Sequence, residues 1–323
     1  MKKIGLLKKG FFIVLILLFL FVLSGYLFVE YKFSPDKNYL TVEGSSEKVP
    51  ITWVENKQSS MAALLLPITI NGISQKLYMQ FDTGSPSTLF YMNKIQSIID
   101  KYPEVISVHH ESSTRVGLAF NLGEMVVKSS EFKIYDKKSV KIDWEDTSKI
   151  YVIGTIGSDL LEKSVSVIDF KNGECLFGEL IPNEYKSIKL QDFTFYKRKT
   201  LFPAEIEGES CKLLHDTGTS GFELITSKQI WERMSERSAK PKEAFEVKSW
   251  NNVLKAYDIE SDKQIHFDMS SIDLNKVTYV EGATFLQIVL MRMTGMGGLV
   301  GNELFRNKVL IMDCRNQKYA IVD

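Results

Sequence analysis

One supersecondary plan is written twice in this chain, and that repeat constrains the fold more than any other feature. Asp82-Thr83-Gly84-Ser85 closes an apolar extended stretch, Leu77 to Phe81, and Asp216-Thr217-Gly218-Thr219 closes another, Cys211 to His215. Each tetrad is trailed by a second matching block. The first reads Thr155-Ile156-Gly157-Ser158-Asp159-Leu160-Leu161, then Val167-Ile168-Asp169-Phe170-Lys171-Asn172. The second reads Leu299-Val300-Gly301-Asn302-Glu303-Leu304-Phe305, then Ile311-Met312-Asp313-Cys314-Arg315-Asn316. From that glycine to the later aspartate the spacing is 12 residues in both copies, while the tetrad aspartate precedes the glycine by 75 and 85 residues. Self-similarity of this kind means the same unit used twice, the second time with a longer loop.

Helix starts follow each tetrad. Asn93 is placed to cap Lys94 to Lys101, and Thr226 with Gln229 three residues later has the form of a capping box. Extended runs dominate elsewhere, as in Leu64 to Ile70, Val116 to Val127 and Val165 to Phe170. The expected fold is mainly β, with few and short helices.

These residues resemble those of the pepsin-like aspartic peptidases, over roughly residues 60 to 323. Family members carry one Asp-Thr-Gly-Ser/Thr per lobe and an apolar-apolar-Gly segment threaded beside it, places that Thr155-Ile156-Gly157 and Leu299-Val300-Gly301 fill here. The resemblance implies a two-lobed acid protease fold from an internal duplication, with Asp82 and Asp216 as the catalytic pair. It also implies supporting roles for Thr83, Gly84, Ser85, Thr217, Gly218 and Thr219. In the family the loop threonines interlock the two loops, and the hydroxyls at the positions of Ser85 and Thr219 bond the outer carboxylate oxygens. Retroviral-type relatives supply one motif per chain and must dimerise; with two motifs in one chain, a dimer is not required for a complete site.

The chemistry follows from the residue types. Two adjoining carboxylates cannot both ionise cheaply, so one keeps a proton and the other acts as a base, an effect for which aspartic proteases are the standard worked case. The ionised member activates a water while its partner donates to the scissile carbonyl. Such an endopeptidase needs no cofactor and no metal, and its partner is a peptide or protein substrate. The alternative is a catalytically inactive peptide-binding or regulatory module of the same fold.

Three places depart from the family pattern. A flap tyrosine is expected about forty residues past the first aspartate, yet the hairpin candidate, Ser113 to Lys128 with its turn at Asn121-Leu122-Gly123, has none; Phe120 and Asn121 are the flap candidates, and the alternative for Phe120 is a core strand residue. His215 stands where the first copy has Phe81, and strand alternation turns it away from Asp216, towards a packed and hydrogen-bonded interior place. His109-His110 lacks the further ligands that a metal needs and reads as a solvated loop. Cys175, Cys211 and Cys314 are odd in number and too few for a disulfide framework, so at least one is unpaired; Cys175 and Cys314, in apolar context near the ends of their repeat blocks, are expected as buried thiols.

The N-terminus suggests a location. Lys2, Lys3, Lys8 and Lys9 precede an uncharged run from Phe11 to Val29, long enough to span a bilayer. Basic residues before it and Glu30 after it place the N-terminus (1–10) in the cytoplasm and the body outside, with 11–29 as a single-pass transmembrane signal-anchor. A cleaved signal peptide, with Val22-Leu23-Ser24 as a weak cleavage site, is the rival reading. A tether (30–60), an N-terminal lobe (61–182), an interlobe linker (183–199) and a C-terminal lobe (200–323) complete the expected organisation. Forty basic and forty acidic residues cancel, so no single-sign field points to nucleic acid. Scarce cysteine and the lack of any Asn-x-Ser/Thr site sit more easily with a bacterial envelope than with a eukaryotic secretory route.

Overall fold

The computed structural model describes residues 11–12, 16–20, 23–25, 27–28, 30–31, 34–109, 114–137, 139–234, 244–249, 252–282 and 295–323. Two units emerge, Met1–Lys37 and Asn38–Asp323. In the first, the described residues from 11 to 31 are helical, and the remainder of the expected 11–29 span lies outside the described residues. Among the described residues no helix is long and apolar enough to cross a membrane.

The second unit is mainly β, and its described residues form sheets of nine, six and ten strands. In the nine-stranded sheet, Ala63–Ile70 and Ile73–Phe81 form a hairpin. Its Asn71-Gly72 turn needs the positive φ that glycine supplies, 90° at Gly72. Tyr151–Ile156 pairs parallel with Ile73–Phe81 and antiparallel with Leu89–Tyr91. The ten-stranded sheet repeats this plan. Lys199–Ile206 and Glu209–His215 form the hairpin, and Met296–Val300 runs parallel to the second of them and antiparallel to Leu224–Thr226. Both tetrads therefore leave the end of a central strand held between a hairpin partner and a parallel neighbour. Apolar side chains such as Leu64, Phe81, Phe90 and Phe132 in one half, and Phe202, Leu213, Val277 and Phe305 in the other, fill the core.

The six-stranded sheet joins the halves. Its two central strands, Val165–Asp169 and Val309–Asp313, run antiparallel with Val167 opposite Ile311. These two residues hold equivalent places in the sequence repeat, so a local two-fold axis passes through the pair. Beyond it, Asp169 accepts from the amide and side chain of Asn172 (both 2.8 Å), and Asp313 does the same with Asn316 (3.1 and 2.7 Å).

Several local expectations are corrected. From Thr41 onward the expected tether, 30–60, is built into the sheets: Thr41–Glu43 pairs with Met125–Tyr135, Val49–Pro50 with Glu174–Gly178, and Thr52–Val54 with Ala63–Ile70. Its few apolar residues suffice, since Leu40 and Val49 are buried and Trp53 stacks on Phe170. The expected linker 183–199 does not simply cross solvent. Gln191–Asp192 and Thr194–Tyr196 pair into sheets, and Phe193 packs against both Phe202 and Tyr319. Asn93 does not cap its helix, which spans Met92–Lys101; its side chain donates to Ser139 O instead. The second helix, Lys228–Arg233, is capped by Ser227, whose hydroxyl accepts from the Ile230 amide, and not by Thr226, which ends a strand. The cysteines need no correction: Cys175 and Cys314 are buried free thiols as expected, and Cys211, also free, is half-buried.

Candidate active site

Each tetrad starts from the same anchor. The Asp82 amide donates to Ile156 O and the Asp216 amide to Val300 O, both at 3.0 Å, so each aspartate is tied to the residue before Gly157 or Gly301. The chain then turns at once, and its amides fold back onto the carboxylate. Gly84 and Ser85 donate to Asp82 Oδ1 (2.9 and 3.0 Å), and Gly218 donates to Asp216 Oδ1 (2.8 Å).

Two threonines lock the loops together. The Thr83 amide donates to Thr217 Oγ1 (2.9 Å) and the Thr217 amide to Thr83 Oγ1 (3.0 Å). Each hydroxyl then donates across to the opposite strand, Thr83 to His215 O (2.9 Å) and Thr217 to Phe81 O (2.8 Å). Both threonines are fully buried. This reciprocal set joins residues 134 apart in sequence and leaves neither loop free to move without breaking four bonds.

The lock brings the two carboxyl groups within hydrogen-bonding reach of each other. Burial, then the charge of Asp216, pushes the Asp82 carboxyl up to about 7. Burial also raises Asp216, against the Gly218 amide and the nearby Lys199 ammonium, which favour its charged form. The bond between the two raises Asp82 and lowers Asp216. Both carboxyls are thus held above the ordinary range, and the pair shares one proton and one negative charge.

Ser85 and Thr219 do not take the places the resemblance implies. Ser85 Oγ donates to Ser87 O (2.9 Å) and Thr219 Oγ1 to Asp216 O (2.9 Å), so both hydroxyls close local turns and leave the carboxylates to backbone amides. The flap candidates are corrected too. Phe120 is 1% exposed and packs among Phe90 and Phe132, because Val116, Leu118, Phe120 and Leu122 all alternate onto the core face of the strand Arg115–Leu122. Asn121 pairs with Thr69 and Val126 inside the sheet. The start of the expected hairpin, Ser113, and His110 lie outside the described residues, while His109 belongs to a short strand paired with Val116.

His215 is packed as expected but not hydrogen-bonded. Among the described residues neither ring nitrogen has a partner; the ring stacks on Phe202 (5.6 Å between centroids) and meets Phe305 edge-on (5.5 Å). Burial pulls it down to about 3, so it is neutral.

A further layer was not read from the sequence. Ser158 Oγ lies 2.9 Å from Ser85 O and 2.8 Å from Arg198 O, bracing the first loop. Arg198, 3% exposed, donates to Pro86 O (2.8 Å) and Glu162 (3.0 Å). On the other side Asn302 donates to Ser220 Oγ (2.8 Å), and Ser59 donates to Glu303 (2.8 Å). Each half thus sends a segment from before its first hairpin to brace the other half's loop. The signal lay in the repeat itself: Ser158 and Asn302 both directly follow the glycine of the second block. No protein-family model matches this chain, and no curated protein matches it either.

Proposed function

We propose that this chain is an aspartic endopeptidase of the pepsin-like type, built by internal duplication and held at a membrane by its N-terminal apolar segment. The carboxyl pair of Asp82 and Asp216 carries the reading. It is metal-free chemistry on a water: the ionised member of the pair takes a proton from the water as it attacks the scissile carbonyl, and its protonated partner donates to the carbonyl oxygen. Collapse of the tetrahedral intermediate returns a proton to the leaving amine. The substrate is an extended peptide, bonded through its main chain in the manner of an added strand.

Support comes from the cross-locked threonines, from two glycines that clear space for the opposite carboxylate, and from burial that raises both carboxyls so that one proton is kept between them. The two-fold relation about Val167 and Ile311 supports duplication. The charge asymmetry around residues 11–29 supports an anchor with the body outside the cytoplasm.

The test is direct. Full-length protein in detergent, given a diverse peptide mixture, cleaves it, and Asp82→Asn and Asp216→Asn each reduce cleavage by at least about a thousandfold. Cleavage that survives either substitution removes that residue from the mechanism.

A further inference from the structure

The strand Lys199–Ile206 runs antiparallel beside Glu209–His215, with Thr200 opposite His215. Thr200 pins this register, since its hydroxyl donates to His215 O (2.9 Å). One step further along the ladder sets Lys199 across from Asp216. Thr200 and His215 are both fully buried, so alternation turns Lys199 and Asp216 together to the other face. Lys199 is exposed there, and its charge acts on Asp216.

The turn before it explains how a lysine is held at this place. Lys197 and Arg198 both have positive φ, 51° and 60°, the left-handed pair of a tight hairpin turn. Arg198 points inward to Glu162 and Pro86. Of three consecutive basic residues, the middle one is thus a buried strut, which fixes the direction of the next. Among the described residues Lys199 has no ion-pair partner, so its charge is available to a ligand.

Resting on the peptidase reading, we propose that Lys199 is a specificity-determining residue that selects peptides bearing an Asp or Glu side chain next to the scissile bond. The working dyad carries one negative charge, which repels an acidic substrate residue at close range. An ammonium on the same face reverses that bias. An acidic side chain brought beside Lys199 gains a partly desolvated ion pair, a contact that discriminates by about tenfold to a hundredfold.

Matched peptides that differ only in Glu against Gln, at each position flanking the cleaved bond, decide the matter. The wild type is expected to prefer the Glu peptide at one such position by about tenfold or more in kcat/KM. In Lys199→Met the preference falls to near unity, and in Lys199→Glu it reverses, with KM carrying most of the change. A fold defect lowers both rates together and leaves their ratio unmoved. Equal preference in the wild type and both variants overturns the inference and leaves the peptidase reading intact. Should the wild type cleave no peptide, the peptidase reading fails by itself. Calorimetric binding of the same Glu and Gln peptides to wild type and Lys199→Met then decides the role of Lys199: a Glu preference lost in the variant supports it, and its absence overturns it.

Discussion

Gly218 stands so close to Asp82 that a Cβ built on it would lie 2.5 Å from the Asp82 carboxylate oxygen, and Gly84 bears the same relation to Asp216. Each glycine is the floor beneath the carboxyl group of the opposite loop. Absence of a side chain, at these two positions, is what lets the carboxyls approach one another.

Gly218→Ala and Gly84→Ala are therefore expected to abolish peptide cleavage, with a drop of about a hundredfold or more, because the methyl group displaces the carboxylate it meets. Stability falls by about 1 to 3 kcal/mol through overpacking. Parallel assays of cleavage and urea unfolding check this, and full activity in either variant contradicts the geometry.

The charge of the pair sets a pH window. Asp82 is raised to about 7 from an ordinary 3.8, so its proton stabilises the fold fully below the unfolded value and that contribution is lost as pH rises through about 7. Activity declines over the same upper range as the acid of the pair is lost. Asp82→Asn mimics the protonated form and keeps the acceptor for Gly84 and Ser85. At pH 8 its melting temperature should exceed that of the wild type, by the equivalent of about 2 to 4 kcal/mol, and the gap should close towards pH 4.

Removing one loop hydroxyl strands the amide of the other loop. Thr83→Val and Thr217→Val are each expected to cost about 2 kcal/mol. Since four bonds fail as one set, the double variant should cost about 1 kcal/mol less than the sum. Urea denaturation of all four proteins reads the coupling, and strict additivity counts against a shared lock.

His215 makes the fold acid-sensitive. Its value of about 3 lies below the ordinary 6.5, so stability is full above 6.5 and is lost as pH falls towards 3, by up to about 1.4 kcal/mol per pH unit. His215→Phe copies the residue that the first half uses, Phe81, and leaves no ring nitrogen unpaired. Its thermal stability should fall less steeply than that of the wild type between pH 6 and 4; identical slopes would show that the ring is charged or solvated in the fold.

Much of this was legible from residue order. Apolar extended stretches ending in Asp-Thr-Gly, a second block at equal internal spacing and the turn signal Asn121-Leu122-Gly123 are local patterns, and strand period and turn chemistry act over a few residues. They determined a mainly β chain with two matching halves and a pair of candidate carboxylates. Segments poor in apolar residues misled for the same reason. Residues 30–60 read as a polar tether because a strand of two or three residues has no period to detect, yet from Thr41 onward partners already in place recruit it.

What only the tertiary structure decided is every relation between groups far apart in the chain. That Thr83 and Thr217 exchange bonds, that Ser85 and Thr219 turn their hydroxyls to the backbone, that Phe120 is core, that His215 is dry and that the charge of Lys199 acts on Asp216 all depend on sheet register and loop approach. A one-residue slip in register reverses which side chains face the site. Register is set by the packing of both halves at once, a sum that no short stretch of residues contains.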